Sequence, residues 1–308
     1  MRSPLVYIII LSYNSEKWIK ACLTSVLATT YASFKVVVVD NGSTDNTVVE
    51  VSKFLPQVEL LLNQSNVGFV RGNNVGITQA LSQQADYIVL LNPDTQVTPT
   101  WLTEMIKIGE AERNVGILGA VQYSYHDKTF NSWTRVALAD RLAELGSPLT
   151  DTVWIPMEWV EGACFMVKAE LFQRIGLLDP IYFSFYEEID FCRRAACLGY
   201  QTALVINSRI HHYRGGVWKE GRIRNRLRDY FCDRGQFIYA LTDPRRTIKG
   251  NLKWYLITLL TKLKEVIKHL DLEKLLRLLV IQADLLGKPL NVYEKWKRER
   301  NLVQARTS

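Results

Sequence analysis

Unbroken apolar runs alternate with stretches of helical spacing in the first half of this chain. Residues 5–11 contain no charged position, the pattern of a strand buried on both faces. Asn14 and Ser15 offer an N-cap, and Trp18, Ile19, Cys22, Leu23, Val26 and Leu27 follow at helical spacing. Residues 34–39 form a second, valine-rich strand closed by Asp40-Asn41-Gly42-Ser43, and Asp45 caps the next helix. Residues 58–62 read as a third strand, 72–83 as a helix and 87–91 as a buried strand. Thr98-Pro99 starts another helix, with cap and first-turn proline in their preferred places. Residues 115–123 are a further strand. This rhythm predicts an α/β fold with a mostly parallel sheet and right-handed crossovers.

Periodicity weakens over residues 124–157, which read as a long, partly irregular insertion able to fold over a site. Strand character returns at 159–167, a short helix at 169–175, a helix at 187–198 and a strand at 201–206. From about Gly221 onward the pattern is helical only. Two units are therefore expected: residues 1–220, holding the sheet, and a basic, mainly helical region over 221–308.

Composition narrows the class. The 308 residues are 48% hydrophobic and carry a net charge of +7, which describes a folded globular chain. The positive excess lies between Arg209 and Arg306 and points to an anionic partner. Nucleic acid fits poorly, since no recognition motif or basic–aromatic pattern accompanies the charge. The five cysteines are odd in number and lack C-x-x-C spacing, so they read as reduced, buried thiols of a cytoplasmic protein. Residues 5–11 do not read as a signal peptide: one Arg precedes them and no small-residue cleavage site follows. No apolar run approaches the roughly 20 residues of a spanning helix.

Candidate chemistry sits where strands end. In Leu91-Asn92-Pro93-Asp94, Pro93 stops the strand and leaves Asp94 just past its carboxyl end, where ligands of open α/β sheets bind. A carboxylate there, beside the Asn92 amide, suits a hard divalent cation; the same residues also suit a plain turn. Asp40 ends a neighbouring strand. It could accept from a nucleobase N–H or a ribose hydroxyl, with Ser12, Tyr13 and Asn14 alongside, or it could simply cap a turn. The segment from Asn66 to Gly76, which includes Gly68, Arg71 and Asn73, is a glycine- and amide-rich loop entering a helix. Glycines allow close backbone approach, and helix N–H groups favour phosphate. The absence of G-x-G-x-x-G after the first strand argues against a dinucleotide oxidoreductase. Glu187, Glu188 and Asp190 open a helix, where acids suit the dipole, yet they cannot all share one face. Asp190 can pair with Arg193 or Arg194. His211 or His212 can complete a metal site with Asp94.

In combination these segments resemble family 2 glycosyltransferases, inverting enzymes of the GT-A fold, and most of all their rhamnosyltransferase-like branch. The matching segments are Leu11 to Asn14, Val39 to Asp45, Asn66 to Phe69 with Gly72 to Asn74, and Leu91 to Asp94. Gly162-Ala163 with Phe165, Glu187 to Asp190 with Arg193, and His211 complete the order, which spans about residues 5–215. The resemblance implies that Asp40 and the Ser12–Asn14 loop hold base and ribose. It also implies that Gly68, Arg71, Asn73, Asn92, Gly162 and Ala163 line the nucleotide-sugar site. Asp94 and His211 would bind Mg²⁺ or Mn²⁺, with His212 as rival, and Asn92 replaces the first acid of the family's metal motif. Glu188 would be the catalytic base, with Glu187 the alternative. The implied reaction moves a sugar from a nucleoside diphosphate to a hydroxyl of a glycan or lipid-linked acceptor, in cell-envelope polysaccharide synthesis. A non-catalytic nucleotide- or glycan-binding member of the same fold is the alternative.

The C-terminal third adds a membrane expectation. Leu252, Tyr255, Leu256, Leu259, Leu260, Leu263, Val266, Ile267 and Leu270 fall on one helical stripe flanked by lysines. Such a helix can rest on the inner face of a membrane, or it can pack on the sheet-bearing unit or on a second copy in a homo-oligomer.

Overall fold

The computed structural model describes residues 2–125, 129–145, 153–213 and 222–307. Strands β1 (Val6–Ser12), β2 (Phe34–Asp40), β3 (Glu59–Leu62) and β4 (Tyr87–Leu91) lie parallel in the order β3-β2-β1-β4. β8 (Cys164–Lys168) comes next, antiparallel to β4 and to β6 (Val115–Ser124). β9 (Gln201–His212) pairs parallel with β6 and antiparallel with β7 (Trp154–Met157) and β5 (Thr95–Val97). The expected α/β class holds. The sheet's first half is parallel, and β8, β7 and β5 bring antiparallel pairings into the second.

Alternate residues of the buried strands feed two cores, as a period of two requires. Ile8, Ile10, Val36, Val38 and Val89 face α1 (Ile19–Leu27) and α4 (Trp101–Ala111). Ile9, Val37, Val39, Ile88 and Leu90 face α3 (Phe69–Ser82), α6 (Ala169–Ile175) and α7 (Glu187–Cys197). This second core runs on without a break into the C-terminal helices. Phe237 and Ile238 of α8 (Arg222–Leu241), Val266 of α9 (Ile248–His269), and Leu278, Ile281 and Leu285 of α10 (Leu272–Leu286) belong to it. A last helix, α11 (Pro289–Thr307), packs against α7.

Several expected boundaries move. The irregular insertion contains a helix, α5 (Ser132–Leu145), and β7; residues 126–128 and 146–152 of it lie outside the described residues. β9 extends six residues past the expected end at Ile206. Asn207-Ser208 interrupts the apolar run, and the pairing register with β6 shifts between Val205 and Arg209, so the strand bulges and continues. The two histidines therefore lie within the strand. Three-residue β5 is too short to leave a sequence pattern.

This topology gathers the candidate residues on one edge. Ser12 and Asp40 are register partners at the ends of β1 and β2. Leu91 pairs with Cys164, so Gly162-Ala163 meets Asn92 where β4 stops. Thr95 pairs with His212, and Gln96 with His211.

Candidate active site

Three small clusters form along this edge. In the first, Asp40 is buried and accepts from its own turn: from Gly42 N–H (3.2 Å), Ser43 N–H (2.9 Å) and Ser43 Oγ (2.5 Å). Ser12 Oγ lies 3.3 Å from it. Asn14, at φ 49°, receives a bond from Thr44 N–H (2.8 Å) and gives its own N–H to Ser43 Oγ (2.9 Å). The positive φ suits asparagine, whose short amide tolerates the left-handed region. Asp40 thus performs the turn-capping role that its sequence context allowed, and it fixes two loops side by side.

The glycine-rich loop is tied to the same turn. Asn41 Nδ2 donates to Asn66 Oδ1 (3.0 Å) and to the Gly68 carbonyl (3.3 Å). Gly68 has φ 89°, and a Cβ there would come within 2.6 Å of the Phe183 ring. Glycine is therefore required both by backbone conformation and by close approach. Asn73 is spent on the helix, donating to the Phe69 carbonyl (3.0 Å), whereas Arg71 is exposed and points away from the core.

The second cluster lies where β4 ends. Asn92 N–H donates to the Ala163 carbonyl (3.0 Å). Asp94 is 8% exposed, and its Oδ1 lies 3.3 Å from His212 Nε2. His211, the neighbour in the strand, points to the opposite face and packs near the Tyr123 ring at 5.6 Å. The histidine in contact with Asp94 is therefore His212, because successive strand residues alternate faces.

The tautomer of His212 follows from a chain of fixed donors. Asn131 Oδ1 accepts from the Thr134 N–H (2.7 Å), so its other atom is the NH₂ group. That NH₂ donates to Gln122 Oε1 (3.0 Å), which identifies the Gln122 atom as oxygen. The same oxygen lies 3.1 Å from His212 Nδ1, so Nδ1 carries the proton. In the neutral ring Nε2 then turns a lone pair toward Asp94 Oδ1, 3.3 Å away, and a positive charge between the two atoms, either a second ring proton or a metal ion, satisfies both. Asn92 Nδ2, at 3.5 Å from Nε2, is at the limit of a hydrogen bond. Carboxylate oxygen, amide and imidazole together are a donor set that Mn²⁺ or Mg²⁺ accepts, with remaining positions left for water and phosphate oxygens. Among the described residues no three His, Cys, Asp or Glu side chains converge on one point.

The third cluster opens α7. Glu187 and Glu188 each bury one carboxylate oxygen with no hydrogen-bond partner. Burial, reinforced by the charge of Glu188, pushes Glu187 well above the usual carboxylate range. Burial also raises Glu188; backbone N–H groups oppose this, the negative charge of Glu161 adds to it, and the carboxyl ends at about 7. Gly162 runs alongside, where a Cβ would sit 3.9 Å from Glu188 Cδ. Glu187 is 5% exposed and faces the core, while Glu188 is the more accessible of the two. A carboxyl poised near neutrality and not fully buried has the properties of a general base.

Sequence reasoning missed Gln122, Asn131 and Glu161. Gln122 did carry a signal: it is the polar residue near the end of an otherwise apolar strand. Asn131 and Glu161 lie in loops and gave none. Glu161 receives Asn131 Nδ2 (3.2 Å), so one asparagine links the His212 chain to the acids of α7.

Residues 7–176, over half of the chain, match the sequence profile of glycosyl transferase family 2. The N-acetylglucosaminyl-diphospho-decaprenol L-rhamnosyltransferase of Mycobacterium tuberculosis is 23% identical over 232 residues, covering 67% of this chain and 75% of that protein. The low-salt glycan biosynthesis hexosyltransferase Agl10 of Haloferax volcanii is 28% identical over 193 residues, covering 61% and 60%. An uncharacterized glycosyltransferase of Haemophilus influenzae is 27% identical over 120 residues, which span only 36% of its length. Among solved structures, a Pyrobaculum calidifontis mannosyltransferase in complex with GDP-Man and Mn²⁺ aligns with TM-score 0.59 at 19% identity, covering 99% of this chain and 87% of that one. S. aureus TarS in complex with UDP-GlcNAc aligns with TM-score 0.61 at 14% identity, covering 98% and 91%. The sheet edge described above thus belongs to a glycosyltransferase of GT-A fold, and the chain is a member of glycosyl transferase family 2.

Proposed function

We propose that this protein transfers a sugar, with inversion, from a nucleoside-diphosphate sugar to a hydroxyl of a glycan or lipid-linked acceptor. The donor is dTDP-rhamnose or a UDP-sugar. The observation that carries the reading is the pairing of two unlike groups on one edge: an Asp94–His212 contact able to hold a cation, and a Glu188 carboxyl raised to about 7 with one oxygen left without a hydrogen-bond partner. Ser12, Tyr13, Asn14 and the Asp40 turn form the base and ribose side. Gly68, at the N-terminus of α3, and Asn92 lie on the phosphate side. Glu188 takes the proton of the acceptor hydroxyl as it attacks, which raises the nucleophilicity of a group with a high pKa. Attack from the face opposite the diphosphate inverts the anomeric centre and needs no covalent enzyme intermediate.

Asp94 and His212, with Asn92, would hold the divalent cation. When bound, Mg²⁺ or Mn²⁺ neutralises charge on the departing diphosphate and orients it. The mannosyltransferase crystallised with Mn²⁺ supports this reading. The mycobacterial relative is named for a decaprenol-linked acceptor, which supports an acceptor at the inner face of the cell membrane.

Thermal shift with UDP-sugars and dTDP-rhamnose tests the donor and metal parts, because a ligand that binds the native state raises its apparent stability. The expected result is a donor-induced shift that grows with Mn²⁺ and loses that growth in Asp94→Ala and His212→Ala, but not in His211→Ala. A metal-dependent shift that survives His212→Ala and disappears in His211→Ala would reverse the histidine assignment.

A further inference from the structure

The C-terminal helices present an apolar surface that the sequence showed only in part. Of the stripe on α9, Tyr255, Leu259, Leu263 and Val266 pack into the core. Leu252, Leu256, Leu260 and Ile267 remain exposed, Ile267 to 71%. The neighbouring α10 repeats the pattern. Leu278, Ile281 and Leu285 are its buried face, and Leu272, Leu276, Leu279, Val280 and Leu286 are exposed at 58–76%. Spacings of three and four residues put the α10 set on one side of that helix. Exposed apolar side chains of this number on adjoining helices exceed the scatter normal for a monomer surface and mark an interaction site.

Charge identifies the occupant. Residues 222–308 carry 20 Lys and Arg against 9 Asp and Glu, a net +11, while the rest of the chain is net negative. Cations that serve the fold are paired: Lys262 with Asp233 (2.5 Å), Arg277 with Asp233 (2.8 Å), Lys274 with Glu265, and Arg234 with Asp284 (2.7 Å). Lys249, Lys253, Lys264 and Lys268 of α9 are exposed, and none has a carboxylate partner among the described residues. On the helix Lys253, Lys264 and Lys268 lie along one border of the exposed stripe, and Lys249 stands at its N-terminal end. An apolar face edged by unpaired lysines matches the boundary of an anionic bilayer, with leucines among the acyl chains and ammonium groups at the lipid phosphates. A symmetric second copy would instead bring two basic surfaces together. Among the described residues no helix is long and apolar enough to cross a membrane, so the contact lies in the plane of the interface.

We infer that the exposed faces of α9 and α10 form a docking surface for an anionic lipid bilayer. This deepens the proposed function, since it rests on an acceptor that is presented at a membrane, and α8 couples the hairpin to the site. Phe231 of α8 stacks on Phe183 at 4.6 Å, and Phe183 closes over Gly68.

The test is co-sedimentation of the full chain with vesicles that contain no acceptor, either neutral phosphatidylcholine or phosphatidylcholine with about one-third phosphatidylserine. The protein should pellet with the anionic vesicles at low salt and be released as salt rises. Leu276→Glu with Leu279→Glu should abolish pelleting, and because both side chains are exposed the fold should persist. Lys264→Gln and Lys268→Gln should each weaken binding about fivefold. The donor-induced thermal shift should remain in all these variants, which separates loss of docking from loss of the nucleotide-sugar site. Protein that stays in the supernatant with anionic vesicles overturns the inference. So does a dimer in solution that Leu276→Glu dissociates without any vesicle binding, because a second copy then covers the face.

Discussion

Two regions of α7, less than two turns apart, treat buried acids in opposite ways. At its first residues, Glu187 and Glu188 leave carboxylate oxygens unmatched, and burial drives both upward. Asp190 is more deeply buried and is surrounded by partners. Arg193 (2.9 Å) and Lys295 (2.9 Å) reach Oδ1, and Arg194 Nε (3.0 Å) reaches Oδ2. Burial alone would raise Asp190, but Lys295, Arg194 and Arg193 outweigh it and hold the group well below the usual carboxylate range. Glu299 and Asp179 complete the set, giving three buried anions against three buried cations; Lys295 contacts both. The network ties α11 to α7. Asp190, with both oxygens paired to cations, is architecture, and a buried carboxyl with an oxygen left unpaired is held ready for a ligand or a proton.

Removing the proton acceptor should give the largest effect. Glu188→Gln keeps the shape of the side chain, so turnover should fall on the order of 10²–10⁴-fold while the donor-induced thermal shift stays within error. Thermal stability should not drop, since the amide keeps an oxygen for the backbone N–H groups and replaces an oxygen that the fold leaves unsatisfied. Turnover that persists in Glu188→Gln and vanishes in Glu187→Gln would move the base one residue along the helix.

The paired region should answer the same kind of change in stability rather than chemistry. Asp190→Asn leaves three buried cations facing two anions. Breaking a buried ion pair from one side costs about 3–5 kcal/mol, so the denaturant midpoint should fall by a corresponding amount. Folded Asp190→Asn protein, assayed well below its transition, should keep most of its turnover. A variant of undiminished stability would show that the network contributes nothing to the docking of α11.

The contrast also explains what could be read from the chain. The strands that carry the site were legible because 5–11, 36–39 and 87–91 are continuous apolar runs, and the polar groups that end them were visible as interruptions. The two regions of α7 were only partly separable: the spacing already offered Arg193 and Arg194 to Asp190, but Lys295, about 100 residues away, gave no such signal, and nothing local marked Glu187 and Glu188 as lacking partners. Lys295 and Glu299 read as ordinary charges on a surface helix. His211 and His212 could not be told apart without the strand register, because the bulge near Ser208 decides which of them faces Asp94. The exposed face of α10 was hidden for a different reason: a leucine at helical spacing gives the same signal whether or not another helix covers it.

The smallest effect concerns pH and compares both regions in a single experiment. Glu188 has a folded value of about 7 against an ordinary 4.5, so between these limits the native state holds more protons than the unfolded state. Its contribution to stability is therefore full below pH 4.5 and is lost as pH rises to about 7. Asp190 runs the other way. Its folded value lies below the ordinary 3.8, so its contribution is present above that pH and is lost only in stronger acid. From pH 5 to 7 Asp190 should add no slope, and any decline in the denaturation midpoint should come from the carboxyls that burial raises, those of the first turn of α7 and Glu299. The slope cannot exceed about 1.4 kcal/mol per pH unit for one group, and solvent at the partly open Glu188 makes it shallower. Turnover should rise over the same interval as the base loses its proton, so activity and stability move in opposite directions. Glu188→Gln should reduce the decline, with Glu187 and Glu299 supplying the remainder. Midpoints at pH 5, 6 and 7 that change equally in wild type and Glu188→Gln would remove Glu188 as the titrating group.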